Sequence, residues 1–572
     1  MKRFWLVLLS LGLITAFSTS AMAVDIKISG EYYAAGMYLD KTTLHKNVSQ
    51  IPWTIGNKTG EQPSPRFQGF HNQAPGPSTA FYYQRLRLNG EVAVAPGLKF
   101  ITRADVMERA WGAARSAPPS NPYGLGALAA PSSSNVDSAG TVAENENIAF
   151  DLAYINYTSP IGMFNVGYQI DKKWGTVFGD NSVPNGQILY GFKLGGYTGA
   201  FIVGKESALQ ALLGAAGEQS APRGQQLKKE HLTISAIGLT DVTLRLCDLS
   251  DNSDADTNYY QMANYYQWKH GEAGLLLRYQ RVAVTRDINL NNVPIYDANG
   301  VFIMNAPLDV VLRDIAGYGV PGIYEATINL YILAPYFKYK IGNVSLEGEL
   351  HHVFGKWAQE SSLGTDIRID VLNAYLNAQA DFGKFYMGGT LAYLSGDDPN
   401  DNVDRTIGLD GGAEWNPCLI MWNRDRTKWA GSLNGYTAEK DVLSNAVATF
   451  DGPMFNAWFF QARAGVRPVE KLDIGLSVSF ANAVVKPTSN WLYNDYGWEV
   501  DLTATYKITN NLTYMVGGGY LFTGNYFKAE GRTAYDDGGA KSGNPINNVD
   551  YMASDNPLQD NYMIMNKLTL TF

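Results

Sequence analysis

Apolar and polar residues alternate along most of this chain, the period of a β-strand with two unlike faces. The final stretch shows the pattern plainly. Tyr562, Ile564, Leu568, Leu570 and Phe572 share one parity, interrupted by Asn566, while Asn561, Met563, Met565, Lys567, Thr569 and Thr571 share the other. Near the start, Asp25 to Leu39 places Ile26, Ile28, Tyr32 and Tyr38 on one face and Asp25, Lys27, Ser29 and Glu31 on the other. Between these ends the alternating segments come in pairs joined by tight turns: 79–95 with 98–107, 147–159 with 163–175, 187–194 with 197–205, 231–237 with 242–249, 259–269 with 273–284, 325–340 with 344–354, 368–382 with 385–395, 454–467 with 472–482, and 497–508 with 512–524. These nine hairpins and the two terminal segments predict 20 strands. The 231–249 pair is the weakest, and without it the count is 18.

An even count returns both ends to one side, as an antiparallel cylinder requires. Strands of this length cross a bilayer when tilted. The expected fold is therefore all-β: a transmembrane, antiparallel, up-and-down β-barrel over residues 24–572. Its tight turns are expected to be periplasmic. The polar stretches 40–78, 110–146, 206–228, 285–323, 397–452 and 525–560 are expected to be extracellular loops. Residues 285–323 and 397–452 are candidate constriction loops by length alone. The last strand should close the cylinder against 25–39, with Tyr562, Leu568, Leu570 and Phe572 toward lipid. A soluble sandwich, propeller or β-helix also alternates, because one sheet face is buried. Strands this long, joined by alternately short and long connections, separate the barrel from those folds.

In a membrane barrel the apolar face turns outward and the polar face lines the interior. The expected lumenal residues are Arg85, Arg87, Glu91, Arg103, Asp105, Arg278, Glu347, Glu349, Arg463, Arg467, Asp473, Glu499 and Asp501. Basic groups concentrate on 79–107 and 454–467, acidic ones on 344–354 and 497–508. Opposed walls of that kind would set up a transverse field across the channel.

Composition narrows the class further. Of the 572 residues 45% are hydrophobic, 12% aromatic and only 17% charged, with 35 Tyr, 12 Trp and 58 Gly. After residue 23 no apolar run is long enough for a helical span. Residues 1–23 read as a secretory signal: Lys2 and Arg3, an apolar Phe4–Phe17, and the small-residue site Ala21-Met22-Ala23. Removing Lys2 and Arg3 takes the formal charge from −9 to −11, which points away from nucleic acid. Two cysteines, Cys247 and Cys418, do not make a disulfide framework and are expected to be unpaired.

Catalytic chemistry is poorly represented. His351 and His352 are adjacent on a strand and so point to opposite faces, which prevents a shared metal. The chain has no nucleophile elbow, phosphate-binding loop, helical zinc motif or haem-attachment motif. No catalytic residue and no resident cofactor are expected. Two acidic loop clusters stand out, one at Asp248, Asp251, Asp254 and Asp256, the other at Asp397, Asp398, Asp401 and Asp404. Oxygen-rich loops can hold calcium, and Asp397, Asp398 and Asp401 are the candidate ligands.

With the signal site, the alternating hairpins and the terminal L-T-L-T-F together, the chain resembles a Gram-negative outer-membrane porin. Three stretches are similar to the alginate-export-like and related large porins: Tyr393-L-S-G-D-D-P-N, Trp498-E-V-D-L-T-A-T-Tyr506 and Tyr520-L-F-T-G-N-Y-Phe527. The resemblance implies passive or facilitated diffusion of small hydrophilic or charged solutes. It also implies a bacterial outer-membrane location among its lipids, insertion by the barrel-assembly machinery, and a possible homotrimer. Three other readings stay open at this point: an exporter of an anionic polysaccharide, a sheath around an electron-transfer partner, and an enzyme carried on a barrel.

Overall fold

A computed structural model describes residues 25–41, 78–111, 148–171, 173–180, 183–207, 231–234, 242–245, 257–285, 293–296, 302–306, 325–359, 367–396, 404–405, 414–430, 454–486, 493–527 and 559–572. The signal segment 1–23, Cys247, the first acidic cluster, and the calcium candidates Asp397, Asp398 and Asp401 lie outside them.

Eighteen strands form the barrel: β1 (Asp25–Leu39), β2 (Thr79–Ala95), β3 (Leu98–Ala110), β4 (Ile148–Ser159), β5 (Gly162–Asp171), β6 (Val183–Leu194), β7 (Tyr197–Ser207), β8 (Thr257–Trp268), β9 (Gly271–Thr285), β10 (Glu325–Ile341), β11 (Val344–Gln359), β12 (Ile367–Asp381), β13 (Phe385–Leu394), β14 (Ala457–Val469), β15 (Leu472–Ala483), β16 (Asp495–Lys507), β17 (Leu512–Thr523) and β18 (Asn561–Thr571). Each pairs antiparallel with its chain neighbours. β18 returns to β1, so the sheet has no open edge.

The expectation of 20 strands is corrected to 18. His231–Ile234 and Val242–Arg245 pair only with each other, as a separate two-stranded sheet. β7 pairs directly with β8, from Tyr197↔Tyr266 to Ser207↔Thr257, which leaves no slot for another hairpin. Four-residue strands are also too short to cross a bilayer.

The seam is built from side chains as well as rungs. Phe572 and Gly30 exchange backbone hydrogen bonds of 3.0 and 2.8 Å. The Phe572 ring covers the bare Cα of Gly30: a Cβ there would lie 2.6 Å from Cζ. Asn566, the polar misfit on the outward face, stands opposite Gly36. With the Tyr82 ring it fills the space a side chain at position 36 would need.

The outer face is mostly apolar. Ile28, Phe150, Tyr168, Ile188, Tyr266, Leu502 and Trp498 are among many large apolar side chains exposed there. That is far more exposed apolar surface than a monomer facing water carries. Near the long-connection end, Tyr260, Tyr279, Tyr331 and Phe354 stand in register on β8 to β11, their rings 5.2–6.3 Å apart in sequence. Trp268 and Tyr339 form a similar contact at the short-turn end. Aromatic rings at both ends of an apolar band on these strands match the outer surface of a membrane barrel.

Candidate functional site

The lumen is crossed by two chain segments that fold inward from the long-connection side. The first, residues 173–180, joins β5 to β6 and reaches the far wall. Trp174 donates its indole N–H to the Ala334 carbonyl at 2.8 Å and packs edge-on against Tyr336. Thr176 donates both its backbone N–H and its hydroxyl to Glu349 at 2.6 Å. Phe178 stacks on Tyr375 at 5.1 Å. Glu349 is buried against Gly175 and Gly179, where any Cβ would strike its carboxylate.

The second segment, residues 414–430, lies between β13 and β14 and ends in a one-turn-plus helix, α1 (Arg424–Ala430). Asn423 caps it by accepting the Arg426 N–H at 2.9 Å. Glu499 on β16 accepts the Ile420 and Met421 N–H groups at 2.6 and 2.7 Å. Gln461 on β14 donates to the Pro417 carbonyl at 2.7 Å. Trp429 stacks on Tyr83 of β2, centroids 4.6 Å apart. The two segments meet: Glu414 N–H donates to the Asp180 carbonyl at 3.2 Å, and Trp415 packs edge-on against Phe178. Together they make a bridge across the barrel.

Beneath the bridge the inner wall is apolar. Tyr33, Met37, Leu39, Tyr83, Phe459, Leu521, Met563 and Met565 point inward and form one buried cluster with Trp415, Ile420, Met421 and Trp422. The simple expectation of a polar inner face fails here for a clear reason: the bridge, not water, covers these strands. The signal is in the sequence. Tyr32-Tyr33, Phe81-Tyr82-Tyr83, Trp458-Phe459-Phe460 and Tyr562 to Met565 are apolar on both parities, as strands covered on both faces are. Of the two candidate constriction loops, 397–452 contains the observed bridge segment. Residues 293–296 and 302–306, within 285–323, form a small hairpin of their own. The segment 173–180 was not foreseen, because the alternation was carried through to residue 175.

The charged residues fall into distinct settings. On β2 to β4, Arg87 grips Asp105 through two bonds of 2.6 Å and Arg103 bonds Asp151 at 3.1 Å. Arg85 lies 3.5 Å from Glu31 and 3.8 Å from Glu108. Glu91 pairs with Lys99 at 2.8 Å. Arg278 is buried with Asp171 at 2.8 Å, its guanidinium 3.8 Å from the centre of the Tyr259 ring. Glu347 accepts from Tyr375 and Asn377, and Arg463 donates to Thr390 and Asn377. At the short-turn rim Arg467 bridges Asp381 and Asp473 at 2.7 and 3.0 Å. Glu499 and Asp501 lie buried under the bridge. The basic and acidic residues are thus not arrayed as two bare opposed walls; most basic groups carry an acid beside them. His351 faces inward at 2.7 Å from Glu349, whereas His352 pairs with Asp370 at 2.9 Å on the outer face.

Two groups on the bridge are shifted. Burial pushes the Asp180 carboxyl up to about 6; Glu414 and Glu349 add to the rise and Lys173 opposes it. Burial, helped by the nearby Glu499 and Asp501, pushes the free Cys418 thiol well above its usual value.

No protein-family model matches this sequence, and neither does any curated protein. Among solved structures, OpdK of Pseudomonas aeruginosa with vanillate aligns over 96% of this chain and 98% of its own, at 9% identity and a TM-score of 0.40. OccK2 (OpdF) of the same organism, in complex with glucuronate, aligns over 96% and 98%, at 10% identity and 0.41. A BenF-like porin from Pseudomonas fluorescens Pf-5 aligns over 96% and 99%, at 10% identity and 0.39. The functional reading below rests on this chain's own residues.

Proposed function

We propose that this chain is a bacterial outer-membrane channel that lets small hydrophilic or charged solutes diffuse past the lumenal bridge. The observation that carries this reading is a closed cylinder that is apolar outside and charged inside, with its bore narrowed by two inward segments. An apolar exterior with aromatic rings near its ends suits lipid as the surrounding solvent. An 18-strand barrel encloses more space than wall side chains alone can fill. Arg85, Arg87 and Arg103 keep 19%, 27% and 13% of their side-chain surface exposed, a partly wetted strip along β2 to β4 beside the bridge. No reaction is needed: selection follows from width and from the charges that line the strip.

The narrower likeness to alginate-export-like porins gains no support from any matching family, and we leave the solute at this chemical class. A bridged lumen favours small solutes over a polymer. Planar-bilayer conductance of the folded protein tests the proposal. Discrete ion-conducting steps are expected. Neutralising Arg85, Arg87 and Arg103 together leaves Asp105 and Asp151 unpaired and should shift the reversal potential toward cation preference. Absence of steps from folded barrels, or an unmoved reversal potential, counts against the channel and against the strip respectively.

A further inference from the structure

The underside of the bridge brings a thiol to Asp501 and to Glu499, the residue that holds the segment's N–H groups. Cys418, Glu499 and Asp501 are all buried, and the Cys418 Sγ and one oxygen from each carboxylate lie within 4.8 Å of one another. Glu499 and Asp501 are two apart on β16 and so share the inner face. The register surrounds them with neutral neighbours: Ser479 and Leu521 flank Glu499, and Ser477 and Gly519 flank Asp501. Neither carboxylate has a basic partner among the described residues. Buried carboxylates without one are held by a proton or by a metal ion.

Two further observations favour a metal. Asp501 is 4% exposed, and its Oδ1 has no hydrogen-bond donor. Its other oxygen lies 3.3 Å from the Ser477 hydroxyl. That bare Oδ1 and Glu499 Oε1 converge over the Cα of Gly519, 2.5 and 3.3 Å from where a Cβ would sit. Any other residue at 519 would crowd these two oxygens, with Leu419 Cβ 3.2 Å away beside them. A proton shared by the two carboxyls would account for the pair, but it gives no part to Cys418, whose thiol otherwise meets only the Ser479 hydroxyl.

We propose that Cys418, Glu499 and Asp501 form a binding site for a borderline divalent cation of the zinc class, which clips the inward segment 414–430 to β16. One thiolate and two carboxylates are ligand types that such ions accept. The segment and the wall each supply ligands, so the ion would cross-link the bridge to the barrel. Chelation would free that link.

Cobalt(II) titration of the folded full-length protein tests the site. A Cys247→Ser background leaves Cys418 as the sole thiol. One equivalent of cobalt should bind, with a thiolate-to-cobalt absorption band in the near ultraviolet and visible bands of a low-coordinate ion. Zinc should displace it. Asp501→Asn and Gly519→Ala should each weaken binding at least tenfold, and Cys418→Ser should abolish the near-ultraviolet band. Heat-modifiable gel migration shows that each variant is a closed barrel. The band is read without any change at the site, so a variant that fails to fold leaves the test intact. No stoichiometric cobalt, or binding without the thiolate band, overturns the proposal. So does binding that survives Asp501→Asn. The first of these outcomes leaves the two carboxyls sharing a proton, and the channel reading is untouched by any of them.

Discussion

The barrel places carboxylates on two walls and uses them in opposite ways. On β2 to β4, Asp105 and Asp151 face arginines across neighbouring strands, in a strip still reached by water. On β16, Glu499 and Asp501 face no arginine among the described residues, and the inward segment supplies donors to Glu499 through the Ile420 and Met421 N–H groups. The first wall can exchange its partners with passing ions. The second has its partners fixed by a folded segment, with Met37, Phe459 and Met563 packed around it. A lumenal charge predicted from parity alone therefore says only which way a side chain points. Whether it meets solute or protein depends on what the long connections do.

The largest test of this contrast is to replace residues 414–430 by a short Gly/Ser linker. Conductance is expected to rise several-fold, because the apolar wall loses its cover and the bore widens. An unchanged single-channel conductance would show that the bridge does not set the width. Next in size is Arg278→Ala, which leaves Asp171 buried without its cation. Breaking a buried pair costs about 3–5 kcal/mol, and thermal unfolding should register it. By comparison Arg103→Ala should cost less, because Asp151 keeps Arg87 at 3.5 Å; equal losses at the two sites would erase the distinction between them.

Glu499→Ala strands two buried N–H groups, at about 1–3 kcal/mol each. The bridge should loosen while the barrel stays closed, seen as flickering current and faster proteolysis within 414–430. Quiet current with normal protease resistance would mean that Glu499 does not hold the segment.

The smallest expected effect is with pH. The Asp180 carboxyl titrates near 6 in the docked bridge, above the model-peptide range of about 4. The docked state therefore binds more protons than the undocked one between those values. Docking strengthens as pH falls through 6 and gains nothing further below about 4. Conductance should fall modestly over that window, and Asp180→Asn should remove the step while keeping the Trp174 N–H acceptor. A step of the same size in the variant would assign the titration to another group.

Most strands and their facing were legible in the sequence because a two-sided strand writes its faces as parity. The seam was legible too, from two terminal segments with matching outward parity. Three things were not. The 231–249 hairpin alternates more weakly than its neighbours, and the direct β7–β8 ladder and its four-residue strands exclude it. The segment 173–180 is held by Glu349, Ala334 and Tyr375, all more than 150 residues away, and a local pattern carries no trace of such partners. Its composition does carry a hint: Trp174 and Phe178 set among Gly175 and Gly179 is an odd make-up for a solvated loop. Length picked 397–452 as a constriction candidate but could not give its contacts. The double-sided apolar strand ends were the stronger signal, since they show where a cover is needed.

The pairing of Phe572 with Gly30 has a bearing on how the molecule is made. Each hairpin can form from residues close together in sequence, whereas the β1–β18 ladder joins segments far apart in it. Closing so long a loop costs only modestly more than closing a shorter one, because the entropy grows with the logarithm of length. Timing is the harder constraint: until β18 arrives, β1 and β17 are raw edges that could zip onto any other strand. The ring that caps Gly30 belongs to that same ladder, so the glycine stays bare until the exposed interval ends.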